Sequence, residues 1–372
     1  MQKPVWWHNV KSAQRAAHQT ASPIAVVSAP TTVLMPVHPL EIVQRLPVTV
    51  DRISVCHSPQ ERCGIREYGR QLDVSLTKLV QVRSLTFKND LAQVVEPNTV
   101  LLVHYEQMLV PVGFVETLRA LRARNVRVVF CCHWYVYSVL GAYRDLVDAF
   151  VVHRPYGNQT VEIPLGCPIY EPETERLDLR ARLGFQPADI VVTTLGFLSQ
   201  WKKIPATLEA ILSKAKDPRL VFQIQTPRHF SNQESGHEEV AIRAVMAKYP
   251  QVRTRLSTDF LPEKDLLDRV YASDLGFVFH GQNTDSVSAA NKQFVSARCP
   301  LVITESTHGS DLKNGIVRVP GFDVSAFARE VLRVAGDEKM REKLRTGMVA
   351  EYARINMDTV SDQYLSLFRG LA

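Results

Sequence analysis

The sequence predicts an α/β protein built on two parallel sheets, and three observations carry that prediction. The chain has 372 residues, which exceeds one average domain and favours two. Short apolar runs alternate with segments whose apolar residues recur at three- and four-residue steps, the pattern of strand–helix–strand units with parallel pairing. A proline-containing polar stretch at residues 167–175 separates two such series and is the predicted interdomain linker.

The composition is that of an ordinary soluble globular protein, with 45% hydrophobic and 22% charged residues. The longest apolar-leaning segment, residues 23–43, is interrupted by prolines and cannot form a membrane helix. The N-terminus has no clean apolar stretch of the kind that signal peptides carry. The six cysteines lack the paired spacing of metal ligands. We therefore predict reduced, structural cysteines in a cytoplasmic protein that has no cofactor and does not strictly require a metal, with peripheral binding at the inner membrane face as an alternative.

Positive charge is concentrated in the first half of the chain. Residues 1–170 hold 17 basic and 12 acidic side chains, which accounts for most of the net charge of +6. Four arginines cluster at Arg119, Arg122, Arg124 and Arg127. Two interpretations stay open: an acidic partner such as a phosphate-bearing lipid, a polysaccharide or a nucleic acid, or a solvated helix face.

The first series opens with a strand at residues 52–59, a turn containing Gly64 and a helix. A glycine there lets the loop approach a ligand beyond the carboxyl end of the strand. Further strands at residues 100–106, 126–132 and 149–153 end in polar side chains. Because such ends meet at one edge of a parallel sheet, they predict a polar cleft. The polar residues at these ends are His104, Glu106, His133 and His153.

The second series begins with a strand at residues 190–195, directly followed by Gly196. This glycine permits close approach of a ligand to the backbone. Lys202 and Lys203 follow where they could neutralise an anion.

Residues 281–304 are read as a loop, a helix and a buried strand. Ser286 or Ser288 is the predicted N-cap of a helix that runs to about Ala297. A helix N-terminus with small residues beside it suits an anion, and Lys292 adds positive charge. The predicted occupant is the diphosphate of a nucleotide-sugar; an ordinary capped helix is the alternative.

From residue 51 onward, the order of these features resembles the GT-B glycosyltransferases, in particular the retaining family 4. The segments that carry the resemblance are C-G-I-R-E-Y at 63–68, His133, I-P-L-G at 163–166, G-F-L-S-Q-W-K-K at 196–203, F-L-P at 260–262 with S-D at 273–274, N-K-Q at 291–293, and C-P-L-V-I at 299–303.

The resemblance implies two Rossmann-like domains that face each other across a cleft. The resemblance does not cover residues 1–50, which the sequence itself predicts to be an irregular extension and a surface for self-association. Residues 51–168 would form the acceptor domain, completed by the last helix at residues 358–372. Residues 169–357 would bind the nucleotide-sugar.

The resemblance also implies roles for individual residues. His133 would reach the transferred sugar, Lys202 would bind phosphate, and Asp285 would contact the sugar; these three are the predicted catalytic residues. His104, Glu106 and His153 are predicted on the acceptor side. The remaining predicted donor-binding residues are Gly64, Gly196, Ser199, Lys203, Phe260, Leu261, Ser288, Ala289, Asn291, Lys292 and Gln293.

Three positions depart from the family pattern. Asp285 and Gln293 stand where the family has two glutamates, and Arg298 replaces a glycine usual in the loop after that helix. Three functions therefore stay open: a transferase that moves a sugar to an acceptor hydroxyl with retention, a sugar-nucleotide epimerase, and a non-catalytic nucleotide-sugar-binding protein. An inverting enzyme would need a base, for which His104, Glu106 and His133 are candidates.

Overall fold

A computed structural model describes residues 46–60, 63–106, 110–134, 136–156, 160–228, 235–284 and 286–372. Most of the predicted extension, residues 1–45, and the predicted catalytic residue Asp285 therefore lie outside the described residues. Val48, near the end of that extension, packs into the core beside the first sheet.

The first sheet has six parallel strands: β1 (Arg52–His57), β2 (Gln81–Thr86), β3 (Val100–Tyr105), β4 (Arg127–Cys132), β5 (Ala149–Val152) and β6 (Val161–Glu162). Their order in the sheet is β2-β1-β3-β4-β5-β6. Strand β2 was not predicted from the sequence, because it lies at the sheet edge and only Leu85 is buried in it, so it lacks an apolar run.

Helices cover both faces of this sheet. The C-terminal helix packs against the first one, and Tyr68 and Leu72 share a buried core with Tyr364 and Phe368. The helices are α1 (Gly64–Leu76), α2 (Leu91–Val94), α3 (Phe114–Ala123), α4 (Val136–Tyr143) and the C-terminal α12 (Met357–Leu371).

The second sheet also has six parallel strands, in the order β12-β11-β10-β7-β8-β9. Its strands are β7 (Ile190–Leu195), β8 (Leu220–Gln225), β9 (Arg253–Ser257), β10 (Leu275–Val278), β11 (Leu301–Thr304) and β12 (Ile316–Val319). Its helices are α5 (Arg176–Arg182), α6 (Ile204–Leu212), α7 (Ser235–Lys248), α8 (Glu263–Tyr271), α9 (Ala289–Ser296), α10 (Val324–Gly336) and α11 (Glu338–Ile355). The predicted α/β fold class with two parallel sheets is confirmed.

Both strand orders reverse direction once, and such reversals place ligand sites in α/β proteins. In the first sheet the chain leaves β1 on one side for β2 and returns on the other for β3. In the second sheet the same reversal separates β7 from β10. Ligands bind in the crevice beyond the carboxyl ends of the strands at such a point. The residues that follow β1, β3, β7 and β10 are therefore the candidates for a ligand site.

A glycine sets the position of α9 against the second sheet. A Cβ atom on Gly276, in β10, would lie 2.3 Å from the Phe294 ring on α9. Only glycine allows this approach, so the ring packs directly on the strand. The contact fixes α9 and with it the N-terminus beside the reversal point.

Among the described residues, no helix combines the length and the apolar character needed to cross a membrane.

Candidate functional site

A lysine, a glycine and a helix start meet at the reversal point of the second sheet. Lys202 lies in a short 3-10 helix after β7 and is only 7% exposed. A Cβ atom on Gly196 would lie 2.5 Å from the Lys202 Nζ atom and 3.3 Å from the Ala290 Cβ atom. Gly196 has φ +111°, a conformation that favours glycine. The ammonium group therefore sits between the end of β7 and the first turn of α9.

The charge of Lys202 is held in a dehydrated environment. Burial lowers the pKa of its ammonium group to about 8. Among the described residues, no carboxylate forms an ion pair with it. A buried cation without a counter-ion is costly, and an anionic ligand would relieve that cost.

Three stacked rings lie beside this lysine. The ring centroids of His280 and His308 are 4.3 Å apart, and those of Trp201 and His308 are 5.0 Å apart. Burial lowers the pKa of His308 to about 4, and the charges of Lys202 and Arg154 lower it further in the same direction. Arg154 follows β5 of the first sheet. Positive charge from both sheets thus converges on one place in the cleft.

The start of α9 agrees with the sequence prediction. Ser288 is the N-cap and the helix runs to Ser296, with Ala297 as its C-cap. Among the described residues, the Ser288 side chain makes no capping hydrogen bond. That hydroxyl therefore leaves the N–H groups of the first turn unsatisfied, as an anion-binding helix start requires.

Lys292 requires a correction. Its charge was predicted to bind the diphosphate, but its side chain is only 2% exposed and its Nζ atom lies 2.7 Å from the Asp311 Oδ2 atom. Asp311 is equally buried and neutralises it. Asn291 is also fully buried, and its Nδ2 atom donates to the His308 carbonyl oxygen at 3.2 Å. Both side chains are therefore buried and hold α9 in place, and neither is available to bind a ligand.

The other predicted donor residues stay predictions, with the following placements. Gly64 is exposed at the start of α1, and Lys203 is exposed with φ +47° beside Gly281. Phe260 is half-exposed and stacks on Phe197 at 6.1 Å. The Ser199 hydroxyl and the Gln293 Oε1 atom are buried and have no hydrogen-bond partner in the part of the chain that the structure describes. Leu261 is partly buried and Ala289 is exposed.

A second cluster of polar side chains gathers where β3, β4 and β5 end. The His104 Nδ1 atom lies 3.2 Å from the His133 Nε2 atom. The Cys131 Sγ atom lies 3.5 Å from His133 Nε2 and 3.6 Å from His153 Nε2. The Tyr68 ring meets all three histidine rings edge-on. His104, Cys131 and His133 could hold a metal ion, since their ligand atoms all lie within 4.8 Å of one another.

Burial governs the protonation of this second cluster. It lowers the pKa of His104 and His133 well below the usual range, and neighbouring histidines add to the effect. It lowers the pKa of His153 to about 4. The imidazoles are therefore neutral at physiological pH. Glu106 follows β3, and burial raises the pKa of its carboxyl group.

The predicted acceptor side is corrected in part. His104 is fully buried and His153 is only 5% exposed, so neither can touch an acceptor directly. Both side chains are buried because their rings pack against those of Tyr68 and His133. His133 and Glu106 are partly exposed at the carboxyl ends of β4 and β3. These two stay predicted contacts.

The arginine cluster of the first half does not face the cleft. Arg127 begins β4 and is buried, where it donates to the carbonyl oxygens of Leu371 and Leu46. Arg122 and Arg124 also donate to backbone carbonyl oxygens. These residues lie at the amino ends of the strands, opposite the site. The cluster therefore gives no support to an acidic acceptor.

Sequence reasoning missed several residues of the site. Arg154 carries a weak signal, since it comes directly after a predicted strand end. His308 carries none, because it lies in a short 3-10 helix (Thr307–Gly309) beyond β11 and no sequence motif marks it. Trp201 lies in the segment at 196–203 that carries the family resemblance, but no role was predicted for it. The stacking of Trp201, His280 and His308 depends on three separate chain segments.

Replacing Gly196 by alanine should destabilise the protein and displace the Lys202 ammonium group. The new Cβ atom would lie 2.5 Å from Nζ, and the backbone would keep a φ that L-residues rarely adopt. We expect a loss of about 1–3 kcal/mol in the free energy of unfolding, measured by urea denaturation. Gly336→Ala is the matched control, since a Cβ atom there meets nothing within 4 Å. Equal stability of the two variants would contradict this account.

No protein-family model and no curated protein sequence matches this chain. Solved structures do match it. HepE from Anabaena, in complex with UDP and glucose, has a TM-score of 0.67 at 11% identity, over 86% of this chain and 99% of that one. An E. coli trehalose-6-phosphate structure bound with UDP-2-fluoro glucose has a TM-score of 0.65 at 13% identity, over 86% and 99%.

A UDP-forming α,α-trehalose-phosphate synthase from Burkholderia vietnamiensis has a TM-score of 0.57 at 15% identity, over 84% of this chain and 80% of that one. Identities this low establish the fold alone. The chain has the two-sheet GT-B fold, as the resemblance implied.

Proposed function

We propose that this protein is a glycosyltransferase that moves a sugar from a nucleotide-sugar to an acceptor hydroxyl. The observation that carries the proposal is the buried Lys202 ammonium group beside Gly196 at the reversal point of the second sheet, where Ala290 in the first turn of α9 lies against the same glycine. A buried cation and a helix start suit a diphosphate group. UDP and UDP-glucose complexes of proteins with this fold favour a uridine diphosphate sugar as donor.

The reaction needs the site to stabilise the departing nucleoside diphosphate. The Lys202 ammonium group and the N–H groups at the start of α9 are placed to take up the negative charge as the bond to the sugar breaks. His133, partly exposed and neutral, would contact the transferred sugar. With retention, the leaving phosphate accepts the proton of the attacking hydroxyl, so no protein base is required.

The stereochemistry of the product tests the retaining mechanism. NMR of the product should show the same anomeric configuration as the donor sugar. An inverted product would instead point to a protein base, for which Glu106 is placed at the end of β3. Burial raises the pKa of its carboxyl group towards the range useful for proton transfer.

An acidic acceptor, whether phosphate-bearing lipid, polysaccharide or modified DNA, is the finer part of the proposal. Its support is the excess of basic over acidic side chains in residues 1–170. Acceptor binding should then weaken steeply as salt is added. A flat salt response would remove the acidic acceptor while leaving the donor proposal intact.

A panel of nucleotide-sugars tests the proposal as a whole. Thermal shift and nucleotide release would be measured with and without candidate acceptors. A transferase should be stabilised by one donor and release nucleoside diphosphate faster when its acceptor is present. A sugar-nucleotide epimerase would convert the donor without any acceptor. A binding protein would be stabilised by the donor and never cleave it, which would fit the absence of charge on Gln293.

The pH dependence of donor binding should follow the Lys202 ammonium group. Its pKa in the free protein is about 8, so the group is charged below that value and neutral above it. Donor affinity should therefore hold steady up to about pH 7 and fall about tenfold by about pH 9. Titration calorimetry at a series of pH values measures this. Affinity that stays constant across the range would contradict a role for the ammonium group.

We also propose a reducing compartment such as the cytoplasm, because all six cysteines are free thiols. Self-association through residues 1–50 stays a prediction, which analytical ultracentrifugation of the full chain would test.

A further inference from the structure

We propose that the first sheet contains a zinc site, formed by Cys131, His133 and His104, with His153 beside Cys131 as the fourth ligand. This inference does not depend on the transferase proposal. The four side chains come from the ends of β3, β4 and β5, and the parallel pairing of these strands brings them together. Cys131 and His104 are fully buried, and His153 is nearly so.

The spacing of the ligand atoms is that of a tetrahedral ion. Zinc–nitrogen bonds of about 2.0–2.1 Å and zinc–sulfur bonds of about 2.3 Å put neighbouring N and N about 3.4 Å apart, and N and S about 3.6 Å apart. The corresponding distances are 3.2 Å for His104 Nδ1 to His133 Nε2, 3.5 Å for Cys131 Sγ to His133 Nε2, and 3.6 Å for Cys131 Sγ to His153 Nε2. Three of the six edges of a tetrahedron are therefore near their coordinated lengths. His153 lies outside the group of ligand atoms that are all within 4.8 Å of one another, so its ring must move closer to the other two histidines when the ion binds.

The surroundings orient two of the ligands. The His153 Nδ1–H group donates to the Ile163 carbonyl oxygen at 3.0 Å, which leaves the Nε2 lone pair directed at Cys131. The Tyr364 hydroxyl donates to the Cys131 Sγ atom at 3.1 Å, a contact that stabilises a thiolate. Outer partners of this kind are usual around bound metals. Because Tyr364 belongs to α12, its hydrogen bond also connects that helix to the site.

The chemistry of the ligand atoms determines which metal is bound. A thiolate with three imidazoles favours zinc over magnesium or calcium, which prefer oxygen ligands. Binding converts the Cys131 S–H bond into a sulfur–zinc bond and releases its proton to solvent, while the neutral imidazoles bind through nitrogen lone pairs. His133 is the partly exposed member and gives the ion a way in from the cleft. A bound ion would fix this side chain at the rim of the proposed donor site.

The whole chain, purified after growth with zinc, tests the proposal. We expect equimolar zinc by elemental analysis, lost in Cys131→Ser and in His104→Ala. Cys132→Ser is the matched control, since Cys132 is the next residue of β4 and is buried in the core on the other face of the sheet. It should keep the metal. Wild-type protein without zinc, or equal loss in Cys131→Ser and Cys132→Ser, would overturn the proposal.

Cobalt provides a second test that needs no variant. Metal-free wild-type protein titrated with Co²⁺ should develop a thiolate-to-cobalt charge-transfer band and the intense visible bands of a tetrahedral site. The titration should also release protons and raise the melting temperature. Absence of the charge-transfer band would show that Cys131 is not a ligand. All these measurements are made without a sugar donor, so their outcome is separate from that of the transferase proposal.

Discussion

Lys202→Met is expected to lower the rate of nucleotide-sugar cleavage by about 10²–10³-fold. This is the loss typical when one preorganised hydrogen-bond donor to a developing negative charge is removed. Methionine keeps the apolar stem of the lysine in its packed position and removes only the ammonium group. Because that group is dehydrated and has no ion-pair partner among the described residues, its removal should leave the melting temperature unchanged or raise it. The measurement is nucleotide release under single-turnover conditions, together with thermal unfolding.

The control for this variant is Lys214→Met, which removes an exposed lysine just past α6 on the same sheet. It should match wild type in both readouts. The combination of lost activity with retained stability identifies a charge kept for function, because a structural lysine would lose both. Wild-type rates in Lys202→Met would refute the role given to this residue.

Asp311→Asn is expected to destabilise the protein by about 3–5 kcal/mol, because it leaves the Lys292 charge buried without a partner. The side chains of this pair are 1% and 2% exposed. Urea denaturation measures the loss. The double variant Lys292→Met with Asp311→Leu should recover most of it, because two apolar side chains of similar volume replace two charges.

A surface pair provides the comparison. Arg333 and Glu330 form an ion pair in α10 with side chains 51% and 26% exposed. Glu330→Gln should cost at most about 1 kcal/mol, since solvent screens the exposed charges. If Asp311→Asn costs no more than Glu330→Gln, the buried pair does not hold α9 in place. Lys292 would then again be a candidate for binding the donor.

The repeating strand–helix pattern and the linker were sufficient to predict the fold. Long apolar runs such as β4 and β7 were found because both are buried on every side. The edge strand β2 was missed because it faces solvent and has no such run. The start of α9 was found because Ser288 precedes small residues, a local signal that needs no tertiary information.

The chemistry of the site could be predicted only in part. Lys202 and Gly196 were found because they stand together after one strand. Lys292 was misassigned because its partner Asp311 lies 19 residues away, and no local pattern shows that the two charges meet. The gathering of His104, His133 and His153 was predicted from their places at the ends of strands. The contact of Cys131 with two of them was missed, because only the sheet register shows that its strand lies between those of His104 and His153.

The structure of the chain with a nucleoside diphosphate bound is the most direct test of the central claim. We predict phosphate oxygens within hydrogen-bond distance of the Lys202 Nζ atom and of the N–H groups at the start of α9, with the Arg154 guanidinium group on the facing side. A nucleotide bound elsewhere, or one whose phosphates do not contact Lys202, would contradict the account.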